Sequence, residues 1–263
     1  MMNEQAEVAF NRLLTHETWL MGLRSKTVAK AAHPGQFMMI RVREGLDPML
    51  RRPFSICGTE GDLFLVLYRV VGKGTEIMSR EITAGQRVSV LGPLGNGFSI
   101  PDWRRIPFLV SGGLGIAPLL FLAQRLGSRE FQFMAGFGSS PQCIPAQEVV
   151  DLSVHLEIST DDGTGGHHGL VTDLLERQLE GGGRNMAPQI FACGPAGMLR
   201  RVAGIAADRG IPCQASVEAP MACGLGACLG CVVKAAPTED RSYYYVCKDG
   251  PVFSTSMIDW ESL

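Results

Sequence analysis

The chain has 263 residues, room for about two compact units of ordinary size. Hydrophobic residues make up 46% and charged residues 19%, a balance that supports packed cores and excludes disorder as the main theme. A net charge of -2 without a long basic run excludes the footprint of a nucleic-acid binder.

The start, MMNEQAEVAFNRLL, is acidic and amide-rich and does not read as a secretory signal, and no apolar run reaches the roughly 18 residues that span a bilayer. The expected setting is the cytoplasm, with neither membrane nor nucleic acid as partner. Within the first hundred residues, GQFMMIRV, FSICGT, DLFLVLYRVV and QRVSVLGPL alternate apolar and polar positions between Gly, Pro and Asp, which predicts short strands closing a small antiparallel β-barrel. After the turn Gly72-Lys73-Gly74, Thr75 is expected to cap a short helix, TEIMSREI.

From Ile106 the rhythm becomes strand, glycine turn and helix: IPFLV, SGGLGIAP, LLFLAQRL, then strands FQFMAGF and VHLEIST and helix LVTDLLERQL. An exposed glycine turn at 181–183 follows, then strand QIFACG, helix AGMLRRVAGIAADRG and strand CQASVEAP. Strands separated by helices imply a mostly parallel sheet covered on both faces. The remaining residues, 221 to 263, are too few for a large core of their own, so metal ligation would supply the missing stability. The expected fold class is α+β multidomain: an antiparallel barrel over 1–101, an α/β parallel-sheet domain over 102–215 and a small cysteine-rich domain over 216–263.

Four of the eight cysteines crowd into the last 41 residues as Cys223-x4-Cys228-x2-Cys231-x15-Cys247. Three thiolates on a tight loop plus one distant thiolate suit a binuclear iron-sulfur cluster, and glycines 224, 226 and 230 would leave backbone N–H groups free for its sulfurs. Four thiolates also suit a structural zinc ion, although zinc favours two close Cys pairs where only one stands here. Cys57, Cys143 and Cys213 are expected to be small buried hydrophobes.

Arg52-Pro53-Phe54-Ser55, followed by Tyr68-Arg69-Val70-Val71 and Gly72-Lys73-Gly74-Thr75, sets an arginine fork and a glycine-led helix start in one neighbourhood, as a dinucleotide pyrophosphate requires. Gly112, Gly113 and Gly115 lie between an apolar strand and a helix, where glycines let a phosphate approach the helix N-terminus; Pro118 stands where the Rossmann fingerprint has its last glycine. Cys193-Gly194-Pro195 falls at the carboxyl edge of the predicted sheet, where open α/β sheets bind ligands. His167 and His168 lie in a glycine loop without partners at ligand spacing and are expected at a solvated or cofactor edge.

The ordered set of Arg52-Pro-Phe-Ser, Gly-Lys-Gly-Thr75, SGGLGIAP, CGPAGM and the four cysteines resembles the electron-transfer subunits of dihydroorotate dehydrogenase B, within the ferredoxin-NADP reductase superfamily, over essentially the whole chain. The resemblance implies a FAD-binding barrel, an NAD-binding domain and a 2Fe-2S tail. Arg52, Pro53, Phe54, Ser55, Arg69, Val70, Val71, Gly74 and Thr75 would hold FAD, and Cys223, Cys228, Cys231 and Cys247 the cluster. Phe54 stands where many superfamily members have tyrosine, so ring stacking on the flavin is expected without a hydroxyl contact. NAD(H) would serve as co-substrate at the glycine turn, with Cys193 near the nicotinamide. The implied partner is an FMN-containing catalytic subunit that oxidises dihydroorotate in pyrimidine biosynthesis, assembled as a heterotetramer of two plus two. A FAD/2Fe-2S subunit of a ferredoxin-NADP oxidoreductase or sulfhydrogenase shares the same motif order, and a zinc-stapled regulatory module is the non-enzymatic alternative.

Overall fold

In the computed structural model, residues 2–99, 102–150, 155–181 and 187–263 are described. Two antiparallel strands that the sequence pattern did not announce, β1 (Met2–Leu13) and β2 (Thr18–Arg24), open the chain. β1 escapes notice because its inward residues are the small Ala6 and Val8, set among Asn, Glu and Gln that face outward or lie half-buried. After α1 (Lys26–Ala31) come β3 (Phe37–Arg41), β4 (Arg52–Glu60), β5 (Leu63–Arg69), α2 (Lys73–Glu81) and β6 (Arg87–Leu94). The six strands close a barrel in the order β1-β2-β5-β4-β3-β6, filled by residues such as Met21, Met38, Ile40, Phe64 and Val66, with Ile77 and Met78 of α2 packed into the same core.

β7 (Ile106–Gly112), α3 (Ile116–Leu126), β8 (Gln132–Phe137), β9 (Glu157–Thr160), β10 (His167–His168), α4 (Val171–Gly181), β11 (Pro188–Cys193), α5 (Ala196–Asp208) and β12 (Cys213–Ser216) follow. The sheet order is β10-β9-β8-β7-β11-β12, all parallel. The predicted strand VHLEIST is shorter than its pattern: Val154 lies outside the described residues and pairing begins at Glu157. Gly182 and Gly183 of the predicted turn also lie outside them, while Gly181 closes α4.

Residues Ile116 to Ala123 of α3 are all buried, because the helix is held between the sheet and the barrel. A helix apolar all round needs partners on both sides, and α3 has them. Gln124 fastens this join by accepting from the Thr59 N–H at 3.0 Å and donating to the Thr59 carbonyl at 2.9 Å.

The tail contains a two-stranded hairpin, β13 (Val232–Lys234) with β14 (Tyr243–Tyr245), and then β15 (Val252–Ser254), which runs antiparallel to β12 and completes the sheet. Its core is shared rather than private: Phe37, Met39 and Leu94 of the barrel pack with Cys231, Val233, Tyr244, Cys247 and Phe253. This borrowing explains how a segment too short to bury much surface is nonetheless packed. The expected architecture of antiparallel barrel, parallel-sheet domain and cysteine tail is the one observed.

Candidate functional site

The strand β4 begins at the barrel rim. Opposed residues of an antiparallel pair point to the same face, and the β3–β4 register sets Phe37 against Ser55 and Met39 against Pro53. Pro53 and Ser55 therefore share the outer face with Phe37 and Met39, while Arg52 and Phe54 turn to the other. The Arg52 side chain lies over Gly74, where a Cβ would sit 2.5 Å from its Nε. Arg52 and the start of α2 thus form one cradle that only glycine at 74 permits. Among the described residues the one protein hydrogen bond of Arg52 goes to the Leu50 carbonyl, leaving most of its five donors for an anion. The neighbouring Arg51 is tied to the Ser89 carbonyl and hydroxyl, both at 2.8 Å.

Thr75 does not cap the helix from outside, as the sequence suggested: the cap position is Gly72, and Thr75 sits three residues in. Its hydroxyl accepts from the N–H groups of Val71 at 2.9 Å and Gly72 at 3.2 Å and donates to the Gly72 carbonyl at 2.9 Å. With its donor and lone pairs committed, Thr75 shapes the turn. Val70 and Val71 stay exposed, Lys73 pairs with Asp47, and Arg69 pairs with Glu17 at 3.0 Å. The half-buried Phe54 meets Tyr68 edge-on at 6.0 Å, and Trp19 stacks on the other side at 6.2 Å. The Tyr68 hydroxyl donates to Asn11 Oδ1 at 2.9 Å, and the Asn11 amide reaches the Met78 and Ile82 carbonyls, bracing the rim to α2.

The second constellation lies at the carboxyl edge of the sheet, where the register lines up Ser111, Cys193 and Ser216, and beside them Gly112, Gly136 and Ser159. A Cβ on Gly115 would be 2.2 Å from the Cys193 carbonyl oxygen, and one on Gly112 would be 2.8 Å from Met198 Sδ. These glycines serve the close seating of the SGGLG turn on Cys193-Gly194-Pro195. Gly113 differs: its φ is +53° and a Cβ there would meet nothing within 4 Å, so it is the open point at the start of α3. Pro118 is buried in the first turn of α3, where its missing N–H costs nothing. Cys193 is 2% exposed, and burial, aided by the charge of Glu218, pushes its thiol up to about 12.

Glu218 escaped sequence reasoning, which ran the strand CQASVEAP through to Pro220. The strand ends at Ser216, releasing Glu218 to the sheet edge, where partial desolvation nudges its carboxyl upward although the residue is exposed and solvent screens the effect. An acid just past a strand at that edge is the signal that would have found it.

The four tail cysteines form two pairs. Cys231 and Cys247 place their sulfurs 3.1 Å apart, and Cys223 is hydrogen-bonded to Cys228. Backbone N–H groups converge on the sulfurs: Leu225 to Cys223 at 3.3 Å, Gly226 to Cys247 at 3.0 Å and Cys247 to Cys231 at 3.3 Å. Against a desolvation that opposes it, hydrogen bonds from the Leu225, Cys228 and Ala227 backbone and the Cys228 side chain bring Cys223 down to about 6, while desolvation beside Cys231 pushes Cys247 up to about 12. Among the described residues no three potential ligands gather as a single ion needs. Two sulfur pairs would suit a binuclear iron-sulfur cluster, which takes two thiolates per iron, better than a single tetrahedral zinc. Gly226 supplies an N–H as expected, whereas Gly224 (φ +72°) is required because a Cβ would meet Met39 Cγ at 2.7 Å.

Other expectations resolve differently. His167 and His168 form a strand rather than a loop, and His167 Nε2 lies 3.6 Å from Asp173 Oδ2. Cys57 and Cys213 are buried, but Cys143 is only half-buried because it follows a 3-10 turn beside a surface cavity. Among the described residues no helix is long and apolar enough to cross a membrane.

The family described as the iron-sulfur cluster binding domain of dihydroorotate dehydrogenase B matches residues 218–259. The electron transfer subunit of dihydroorotate dehydrogenase B (NAD(+)) from Desulforamulus reducens is 35% identical over 260 residues, covering 97% of this chain and 98% of the relative. Its counterpart from Geobacillus thermodenitrificans is 38% identical over 259 residues, covering 95% and 96%. Among solved structures, an NADH-dependent reduced ferredoxin-NADP oxidoreductase superposes with a TM-score of 0.84 at 27% identity, covering 99% of this chain and 91% of the other. Phthalate dioxygenase reductase shares the fold at a TM-score of 0.63 and 16% identity, covering 93% and 94%.

Proposed function

The chain belongs to the family of electron transfer subunits of dihydroorotate dehydrogenase B (NAD(+)), and on that premise we propose that it connects a catalytic partner subunit to NAD+ through a 2Fe-2S cluster and FAD. The observation that carries this assignment is the pair of sulfur pairs, ringed by backbone N–H donors, packed against the same barrel strand that adjoins Arg52-Pro53-Phe54-Ser55. When bound, FAD supplies the exchange between the two-electron hydride of a nicotinamide and the one-electron chemistry of an iron-sulfur centre.

The residues supply binding and orientation. Arg52 and the first N–H groups of α2 neutralise the FAD pyrophosphate over Gly74, on a turn shaped by Thr75 with Arg69, Val70 and Val71 alongside. Phe54, on the same face of β4 as Arg52, would stack on the flavin ring, with Pro53 and Ser55 alternating with them on the same strand. Gly112, Gly113, Gly115 and Pro118 deliver the start of α3 to the NAD(H) pyrophosphate, and Cys193, Gly194 and Pro195 form the wall near the nicotinamide. Cys223, Cys228, Cys231 and Cys247 hold the irons. The working division is a FAD unit over 1–101, an NAD unit over 102–215 and a cluster unit over 216–263, the last sending β15 into the NAD sheet.

The partner is an FMN-containing subunit that oxidises dihydroorotate to orotate in pyrimidine biosynthesis, in an assembly of two plus two in the cytoplasm. With those groups bound, the chain would couple oxidation of dihydroorotate in the partner to reduction of NAD+. Purified anaerobically, the chain is expected to show flavin absorbance bleached by NADH, iron with acid-labile sulfide, and the low-temperature paramagnetic signal of a reduced 2Fe-2S centre. Absence of flavin, or zinc in place of iron, rejects the assignment. Co-purification with an FMN protein tests the partner. The long superposition on the ferredoxin-NADP oxidoreductase structure favours, as the second reading, a subunit of that class, which would instead bring down a larger iron-sulfur flavoprotein.

A further inference from the structure

β3 is a wall one strand thick. Met38 and Ile40 face the barrel core, while Phe37 and Met39 face the core of the cysteine tail. Met39 is 0% exposed and lies between the strand proposed to hold the flavin and the cysteine loop. Along the sheet it is the register partner of Pro53, the residue after Arg52 on the flavin strand. Outward, its thioether chain presses on Gly224, the residue after Cys223; a Cβ there would lie 2.7 Å from Met39 Cγ and 3.1 Å from Sδ. Gly224 holds φ +72°, which a side chain rarely adopts, so the cluster loop is shaped to close down on this methionine. Leu94 completes the seat, 3.3 Å from the same point. Arg51, pinned to Ser89, also reaches the Met39 carbonyl at 3.4 Å and steadies the strand.

We propose that Met39 is the positioning residue that sets the gap between flavin and cluster, by seating the Gly224 loop against the strand that pairs with Pro53. This rests on the assignment of FAD and cluster made above. One hydride from NADH would bring two electrons and one proton; in the chain without its partner the cluster takes up one of those electrons and the flavin keeps the other together with the proton, whereas in turnover the same crossing of β3 runs from the partner towards NAD+. Flexible and polarizable, a methionine fills such an irregular gap closely. Its truncation would leave a void into which the loop relaxes, and misplacements of about 1 Å cost up to about 100-fold where geometry governs a rate.

The test uses the full chain with its cofactors, as wild type, Met39→Ala and Met39→Leu. Flavin and iron contents are measured first, then the rates of flavin bleaching and of cluster reduction after anaerobic mixing with NADH, the second followed by freeze-quenched paramagnetic resonance, and finally the cluster potential by titration. Expected for Met39→Ala are unchanged contents and bleaching, an unchanged potential, and cluster reduction slowed by about 10-fold or more. Met39→Leu, which conserves volume, restores the rate to within about twofold. Equal cluster reduction in Met39→Ala and wild type overturns the inference alone. Loss of iron from both variants overturns it too, since Met39 would then serve assembly only. No bleaching in the wild type overturns the parent assignment and this one with it.

Discussion

Two adjacent arginines at the start of β4 are held by different partners, and their mutants should separate accordingly. Arg51 is bound to Ser89 and Met39, whereas Arg52 leans over Gly74 with donors to spare. Replacing Arg52 by Gln is expected to remove charge-assisted bonds of about 1.5–3 kcal/mol, weakening flavin binding roughly 10- to 100-fold with little change in Tm. Arg51→Gln should lower Tm with flavin affinity nearly kept; equilibrium flavin fluorescence and thermal denaturation distinguish the two. Glu218 gives a pH-dependent prediction. Desolvation raises its carboxyl in the folded state above the unfolded value, so its favourable contribution is present below the ordinary carboxylate range and is lost as pH rises through the folded pKa. Because Glu218 is exposed and screened by solvent, Glu218→Gln is expected to raise Tm only slightly at neutral and alkaline pH, with the gain fading near about pH 4. A gain of equal size at every pH would show that its charge is not what costs stability.

At the scale of elements, the SGGLG turn and the CGP turn behave as one piece. Gly115→Ala brings a Cβ within 2.2 Å of the Cys193 carbonyl, a backbone atom that cannot swing aside. Overpacking of this kind costs about 1–3 kcal/mol, and the separation of the two turns should slow NADH-driven bleaching as well as lower Tm. Gly113→Ala meets no atom and loses only about 1 kcal/mol to its left-handed backbone, so its Tm effect should be the smaller. If stopped-flow bleaching responds to Gly113→Ala alone, the turn serves the nucleotide directly rather than through Cys193. Glycine turns between strand and helix are legible in a sequence because the signal is local. That Gly112 and Gly115 answer to a second turn about eighty residues away is not local, and no spacing announces it.

Across the whole molecule the cysteine tail is stabilised by what it borrows. Cys231 and Cys247 lie in one apolar cluster with Phe37, Met39 and Leu94 of the barrel, while Cys228 is exposed. Cys228→Ser is expected to abolish the paramagnetic signal and lower iron content, with Tm falling toward that of chelator-treated protein, because metal-binding free energy here is folding free energy. Flavin should remain bound, since Arg52 and α2 sit on the barrel side of β3. Simultaneous loss of flavin and iron, measured by absorbance and metal analysis, would instead mean that the two sites assemble as one.

Sequence alone determined the strand and helix alternation, the glycine turns, the arginine fork and the four cysteines, because each is written in neighbouring residues whose spacing and chemistry suffice. It missed β1, whose inward Ala6 and Val8 are too few and too small to mark a strand, its antiparallel neighbour β2, and Glu218, whose release depends on where β12 stops pairing. Only the tertiary structure decided that the sulfurs fall into two pairs, that Thr75 serves the turn, and that a single strand separates the barrel core from the tail. Those facts depend on which face of β3 meets which neighbour, and contacts between residues distant in the chain are set by packing rather than by any local pattern.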